Sequence, residues 1–378
     1  MEASRVDGAG VPDEGTVKKL LDWRPDLGVV SVYVAIDHGD RSEGWRVELR
    51  DRLDDVIEAE TDHHGRRALT ATAERIKAHF PDEVPSGRGH IGFCAVKEQK
   101  PDDRRGQSDI WMSTQMAPPQ AEVVRRERPH LTPLIELLEE GAPVGVVAVS
   151  AERVRLHEWA LGTLSEIHDW EAVLFIPDWR ERKAQSTPDP ARVEGASSSG
   201  HDQYDQRLEH NRRRFLKETG ALVGQEAERR RWRSAIAFGD PDEVARVAEG
   251  ASKRIEVEPA DDANVISEDH RRLLERVERA VDGLNRRREL TLVQGALDAA
   301  FAREGRGAVG VIETQRSLEE GRVRHLLFDA EETAREVTEV EDDLVEKAIR
   351  TRADVTPVEG DAAELLREHG GVAALLRY

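Results

Sequence analysis

The segment AVGVIETQRSLEEGRVRHLLF at residues 308–328 does most to limit the fold. An apolar run from Ala308 to Ile312 precedes a short helix over Thr314–Glu320. Gly321 closes that helix, and a second apolar run follows from Val323 to Phe328. A strand, a short crossover helix and a strand imply parallel pairing, and so an α/β sheet. An acidic stretch from Asp329 to Arg350 comes next, with nine acids and three bases. It suits either a basic partner or a solvated helix face.

The rest of the chain has the same α/β character. Val29 to Ile36 is rich in β-branched residues and reads as a strand. Residues 1 to about 16 read as a loose tail. Helices are expected over Trp45–Glu60 and Leu69–Phe80, the second stopped by Pro81 and Pro85. Strands are expected at His90–Val96 and Ile110–Met116. These elements make a first domain over residues 1–142. Val144–Val149 and Val154–Trp159 flank a short turn and open a second domain, 143–267, as a hairpin. Val173–Ile176 is a further apolar segment. Residues 177–200, PDWRERKAQSTPDPARVEGASSSG, have no periodic apolar face and read as a mobile loop. A long helix is expected from Gln203 towards Arg233. A third domain, 268–378, begins with a helix capped by Ser267, with Leu273, Val277, Val281 and Leu284 on one stripe. A separate helix is expected over Leu292–Phe301.

Composition narrows the function classes. The 378 residues carry 56 Lys+Arg and 76 Asp+Glu, a formal charge of −20. That argues against broad nonspecific attraction to nucleic acid or anionic membrane, though not against a local basic patch. With 9 Lys and 47 Arg, such a patch would offer guanidinium groups suited to bidentate phosphate contacts. A single cysteine, Cys94, excludes an intrachain disulfide and a multi-cysteine zinc site; within HIGFCAVK it reads as a buried, inert thiol. No apolar stretch has the length of a membrane span, and the N-terminus lacks a basic-then-apolar signal pattern. A cytoplasmic protein without membrane contact is therefore expected.

The local patch lies between Arg207 and Arg233, where nine basic residues face four glutamates. Arg207, Arg212, Arg213, Arg214, Lys217, Arg229, Arg230 and Arg231 are candidates for phosphate-backbone contacts. The competing reading is a solvated face balanced by acids elsewhere. His63 and His64 are adjacent and diverge, and His201 with Asp202 supplies too few ligands, so no metal site is expected. The glycine-containing stretches at 141–145 and 304–310 lack the Lys and Ser/Thr of a nucleotide loop. Ser150 and Ser197–Ser199 lack a nucleophile-elbow context. No cofactor is expected.

The segment 308–328 and the closing GGVAALLRY at 370–378 resemble the C-terminal domain of the archaeo-eukaryotic class 1 release factor and Pelota superfamily. VGVVAVSAERVRLHEWALG, from Val144, resembles the opening hairpin of that superfamily's central domain. The resemblance implies three α/β domains, the central one ribonuclease H-like and the C-terminal one L7Ae-like with a mixed sheet. Release factors carry a Gly-Gly-Gln loop before a long Arg-rich helix. Here Gly200 and Gln203 take the corresponding positions, with His201 and Asp202 in place of two glycines and Arg207 four residues beyond the glutamine. This Gly-x-x-Gln pattern is closer to the bacterial branches and to Vms1-like peptidyl-tRNA hydrolases.

What the resemblance implies is a ribosome-associated factor. Gly200 and Gln203 would be its catalytic loop. The basic helix would meet ribosomal RNA and the tRNA acceptor end, and the C-terminal domain would meet a translational GTPase. Ester hydrolysis requires a placed water and a stabilised oxyanion, and close approach favours glycine. His201 and Asp202 thus leave two roles open: a rescue hydrolase acting on stalled peptidyl-tRNA, or a non-catalytic A-site occupant like the Pelota-like hibernation factors. A scaffold or regulatory protein without ribosome contact is the third alternative.

Overall fold

The computed structural model describes residues 10–39, 43–80, 84–97, 109–172, 198–260, 265–302, 305–330 and 338–378, with the side chains of 198–205 and 338–341 outside that description. The chain is mixed α/β, with three sheets among the described residues. It divides into two compact units, Met1–Gly141 with Asp282–Tyr378, and Ala142–Val281.

The first unit begins with helix α1 (Glu14–Leu21), which takes up part of the expected tail. Asp13 caps it, accepting a 2.7 Å hydrogen bond from the Thr16 amide. An antiparallel sheet follows, built from β1 (Val29–Ala35), β2 (Gly89–Ala95), β3 (Ile110–Thr114) and β4 (Glu122–Arg126) in the order β3-β2-β1-β4. Helices α2 (Gly44–Ala59) and α3 (His63–His79) bury Leu49, Leu53, Leu69 and Ile76 against Val30, Val32 and Val34. Cys94 is buried in β2, where burial pushes its thiol well up. Strand β4, EVVRR, went unread because three of its five residues are charged. Helix α4 (Thr132–Glu140), with Pro133 in its first turn, ends the stretch.

The second unit holds a five-stranded sheet. Strands β5 (Val144–Val149), β6 (Arg153–Ala160) and β7 (Thr163–Glu171) are antiparallel. Helix α5 (Ser198–Arg230) leads to β8 (Ala235–Phe238), and α6 (Pro241–Ala251) leads to β9 (Val257–Pro259). Strand β8 is parallel to β5, and β9 to β8, so the order is β7-β6-β5-β8-β9. This mixed sheet is in keeping with the ribonuclease H-like expectation. Val173–Ile176 and the expected loop up to residue 197 lie outside the described residues.

The two helices expected on either side of residue 288 are one, α7 (His270–Phe301). The intervening NRRREL carries few apolar residues, yet arginine, glutamate and leucine are good helix formers and nothing in it breaks the helix. The division between the units falls inside α7.

The last sheet comprises β10 (Gly307–Val309), β11 (Val323–Asp329), β12 (Asp354–Val358) and β13 (Val372–Leu376), accompanied by α8 (Val311–Glu319), α9 (Thr338–Arg350) and α10 (Gly360–Arg367). Its order is β10-β13-β11-β12. Here one expectation is corrected. Strands β10 and β11 run the same way but do not pair, because β13 lies between them, antiparallel to both. Val372, Ala373, Ala374 and Leu376 of β13 are all buried, and a strand apolar on both faces belongs at a sheet centre. The direct parallel pair is β11 with β12.

Within this unit the N-terminal sheet is tied to α9. Asp342 accepts hydrogen bonds from Arg126, from Thr132 Oγ1 and, at 2.7 Å, lies against Nδ1 of His130. His130 is buried, with Nε2 3.0 Å from Glu122. Its backbone is fixed as well: Tyr33 donates to its carbonyl at 2.6 Å and its amide donates to Ser31 at 3.0 Å. One turn along α9, Glu346 meets Arg24 at 2.9 Å, Arg128 at 2.8 Å and Arg350 at 2.9 Å. Burial alone would raise the Glu346 carboxyl; hydrogen bonds from Arg128 and Arg350 outweigh it and hold the group below its usual range. Among the described residues of the acidic segment, Asp342 and Glu346 thus face basic groups of the same chain.

A second carboxyl cluster joins α4, α7 and the turn before α10. Asn285 donates to the Glu140 carbonyl at 3.2 Å, Arg288 pairs with Glu139 at 3.1 Å, and the Glu359 amide donates to Glu289 at 3.1 Å. Burial, then the neighbouring Glu359 and Glu289, pushes Glu140 up to about 8. Burial chiefly raises Glu289 to about 7.

Two outcomes are expected. Asp342→Ala strands His130, Arg126 and Thr132 and should cost about 3 kcal/mol in urea unfolding, as for other broken part-buried pairs. Glu140 and Glu289 have raised folded-state values, so their contribution is complete below the ordinary carboxylate range and is lost as pH rises through 7 to 8. The urea midpoint should fall between about pH 5 and about pH 8.5. In Glu140→Gln/Glu289→Gln that fall should flatten; a slope equal to the parent's would count against the cluster.

Candidate nucleic-acid interface

Helix α5 carries every site residue expected from the sequence except Arg231, which follows its last turn. Its 33 residues span about 50 Å. One face is apolar: Leu216, Val223 and Ala227 are buried against Val147, Val154 and Val244. The helix crosses α6 at two glycines. A Cβ on Gly220 would lie 2.1 Å from the Val247 carbonyl oxygen, and one on Gly250 would lie 2.2 Å from that of Lys217. Only glycine permits this approach, which sets how α5 lies on the sheet.

The far end is fixed by a left-handed turn. Arg231 has φ +59°, and the Trp232 amide reaches back to the Ala227 carbonyl at 3.0 Å. This closes the helix as a Schellman motif with arginine where glycine is usual. The Trp232 indole then lies over β5, where a Cβ on Gly145 would come within 2.5 Å of the ring. Its Nε1 donates to Glu158 at 2.7 Å.

Of the expected basic residues, six meet glutamates. Arg213 pairs with Glu209 at 2.8 Å and Arg214 with Glu218 at 2.7 Å, both one turn away. Arg212 reaches Glu152 in the β5–β6 turn, and Lys217 reaches Glu249 of α6 at 2.6 Å. Arg229 bonds Glu226 at 3.0 Å, and Arg230 bridges Glu226 at 3.2 Å and Glu158 at 3.1 Å. Arg207 and Arg231 are exposed, and no carboxylate among the described residues pairs with either. The local positive excess is thus largely offset by Glu152, Glu158 and Glu249, which no count along the helix includes. Pairs between exposed side chains contribute little to stability. Arg213, Arg214 and Lys217 remain on the outer surface, where a phosphate can replace a glutamate partner.

Gly200 and Gln203 differ from expectation in backbone. The helix starts at Ser198, so both lie within its first turns rather than in a loop before it. The run SSGHDQYDQR has no proline, and its serines suit a helix start. The side chains of His201, Asp202 and Gln203 lie outside the described residues. Among the described residues no group of three or more His, Cys, Asp or Glu is placed to hold a metal ion, and no helix is long and apolar enough to cross a membrane.

Residues 129–282 match the family model of bacterial archaeo-eukaryotic release factor family 10. That span covers α4, the whole second unit and the start of α7. Over these residues the chain is similar to that bacterial release factor family. Similar solved structures include an archaeal translation termination factor, aRF1, at 17% identity over 96% of each chain and a TM-score of 0.26. Archaeal Pelota, in a model of ribosome-bound Pelota and ABCE1, is 14% identical over 98% of this chain and 95% of that one, with a TM-score of 0.43. Dom34 of S. cerevisiae, a translation termination-like factor involved in RNA quality control pathways and interacting with Hbs1, is 8% identical over 94% and 96%, with a TM-score of 0.44. No curated protein matches the sequence.

Gly220→Ala should lower stability by about 1–3 kcal/mol, the usual cost of overpacking. An unchanged urea midpoint would mean that α5 and α6 separate without penalty.

Proposed function

We propose that this protein is a cytoplasmic, ribosome-associated translation factor acting on stalled or idle ribosomes. The family match over residues 129–282 carries this reading, because it contains the Arg-rich helix and the Gly-x-x-Gln pattern together. Arg207, Arg212, Arg213, Arg214, Lys217 and Arg229–Arg231 would contact ribosomal RNA or the tRNA acceptor end, the six that pair with glutamates trading those partners for phosphates. A translational GTPase is the proposed partner of the C-terminal domain.

Two readings divide at Gln203. In the first, Gly200 and Gln203 place a water against the peptidyl-tRNA ester. In the second, the protein occupies the A site without chemistry. The helical backbone at both residues favours the second, since a free loop approaches a buried ester more readily than a helix does.

Co-sedimentation with ribosomes at low salt is the expected outcome. It should weaken several-fold when Arg213 and Arg214 are both changed to Glu. Absence of association in growing and stationary cells alike would overturn the reading in favour of a scaffold role. Peptide release from stalled complexes separates the two roles. Release lost in Gln203→Ala supports hydrolysis, and binding without release by the parent protein supports occupancy.

A further inference from the structure

The first turns of α7 lie in the second unit and carry a basic cluster outside the expected interface. Leu273, Val277 and Val281 are buried. On the flank of that stripe, Arg272, Arg276 and Arg279 follow one another at single-turn spacing. They line an open hollow of 350 Å³ together with Glu268 and Glu275, and no apolar residue contributes to its wall.

Three arginines and two glutamates line the hollow, and the pairing among them is uneven. Glu275 is drawn to Arg271 at 3.2 Å. Nε of Arg276 lies 3.0 Å from Glu268 as an ion pair, which keeps that guanidinium beside the wall. Arg272 is 3.7 Å from Asp269, and both are well exposed. Arg279 is exposed, and no carboxylate among the described residues pairs with it. Two arginines are thus weakly committed on either side of a third that is held in place. Arginine forks in a shallow, wholly polar hollow suit a phosphodiester strand rather than an apolar ligand.

We infer that Arg272, Arg276 and Arg279 form a second RNA-backbone contact, separate in sequence from the α5 residues. This rests on the ribosome-binding reading and adds a site to it. Glu268 acts as a positioning residue for Arg276.

The test is fluorescence anisotropy of a labelled single-stranded RNA over a range of salt concentrations. The parent protein is compared with Arg272→Gln/Arg279→Gln and with Arg213→Gln/Arg214→Gln. Both substituted arginines of the α7 pair are exposed, and circular dichroism melting checks the fold of each variant. The α7 pair should bind about three- to ten-fold more weakly at low salt, with a salt slope shallower by about 1.4, at about 0.7 for each phosphate on a single strand. Affinity and slope equal to the parent's overturn the inference. If only the α5 variant weakens, this site falls and the ribosome reading stands. If the parent binds neither RNA nor ribosomes, both fall.

Discussion

Asp342 is the point on which the first unit turns. It takes a guanidinium, an imidazole and a hydroxyl from a stretch running from β4 to the start of α4. That stretch is itself held by Tyr33 and Ser31 of the N-terminal sheet. The carboxylate thereby couples two sheets that are far apart in sequence. Glu346 repeats the device one turn further along α9, with arginines from three places in the chain. Such part-buried pairs are costly to break because each partner would be left desolvated. The N- and C-terminal portions consequently count as one compact unit, although their sheets share no strand.

The second unit follows a different logic. Its positioning contact is steric, two glycines at a helix crossing, and its charged surface is loosely held. The basic helix is neither a bare cation nor an inert salt lattice. Its arginines are parked on glutamates, most of them exposed, and so keep their charge while limiting indiscriminate attraction to polyanions. This reconciles a chain of net charge −20 with the proposed role beside RNA.

Local periodicity made much of this legible. The hairpin at 144–159, the strand at 29–36 and α2 could be read because their apolar residues recur at strand or helix spacing. What could not be read depended on partners remote in sequence. Strand β4 is mostly charged and is a strand because β1 lies beside it. The placement of β13 between β10 and β11 depends on which strand is apolar on both faces, not on crossover length. The excess of charge between Arg207 and Arg233 is plain in the sequence, but its partial neutralisation by Glu152, Glu158 and Glu249 is a property of the fold. At Gly200 and Gln203 the resemblance to a loop-bearing family outweighed a local sequence able to form helix.

The central place of β13 also bears on how the C-terminal sheet assembles. Among the described residues, strand β10 has no neighbour in the sheet except β13, which lies more than sixty residues later. During synthesis β11 and β12 can pair, but β10 stays without a partner until residues 372–376 have emerged. The sheet is closed from its middle by its last strand, so its edge strand gains hydrogen bonds late and all at once. Non-local closure of this kind slows folding and ties the ordering of α8, which follows β10 directly, to the arrival of β13.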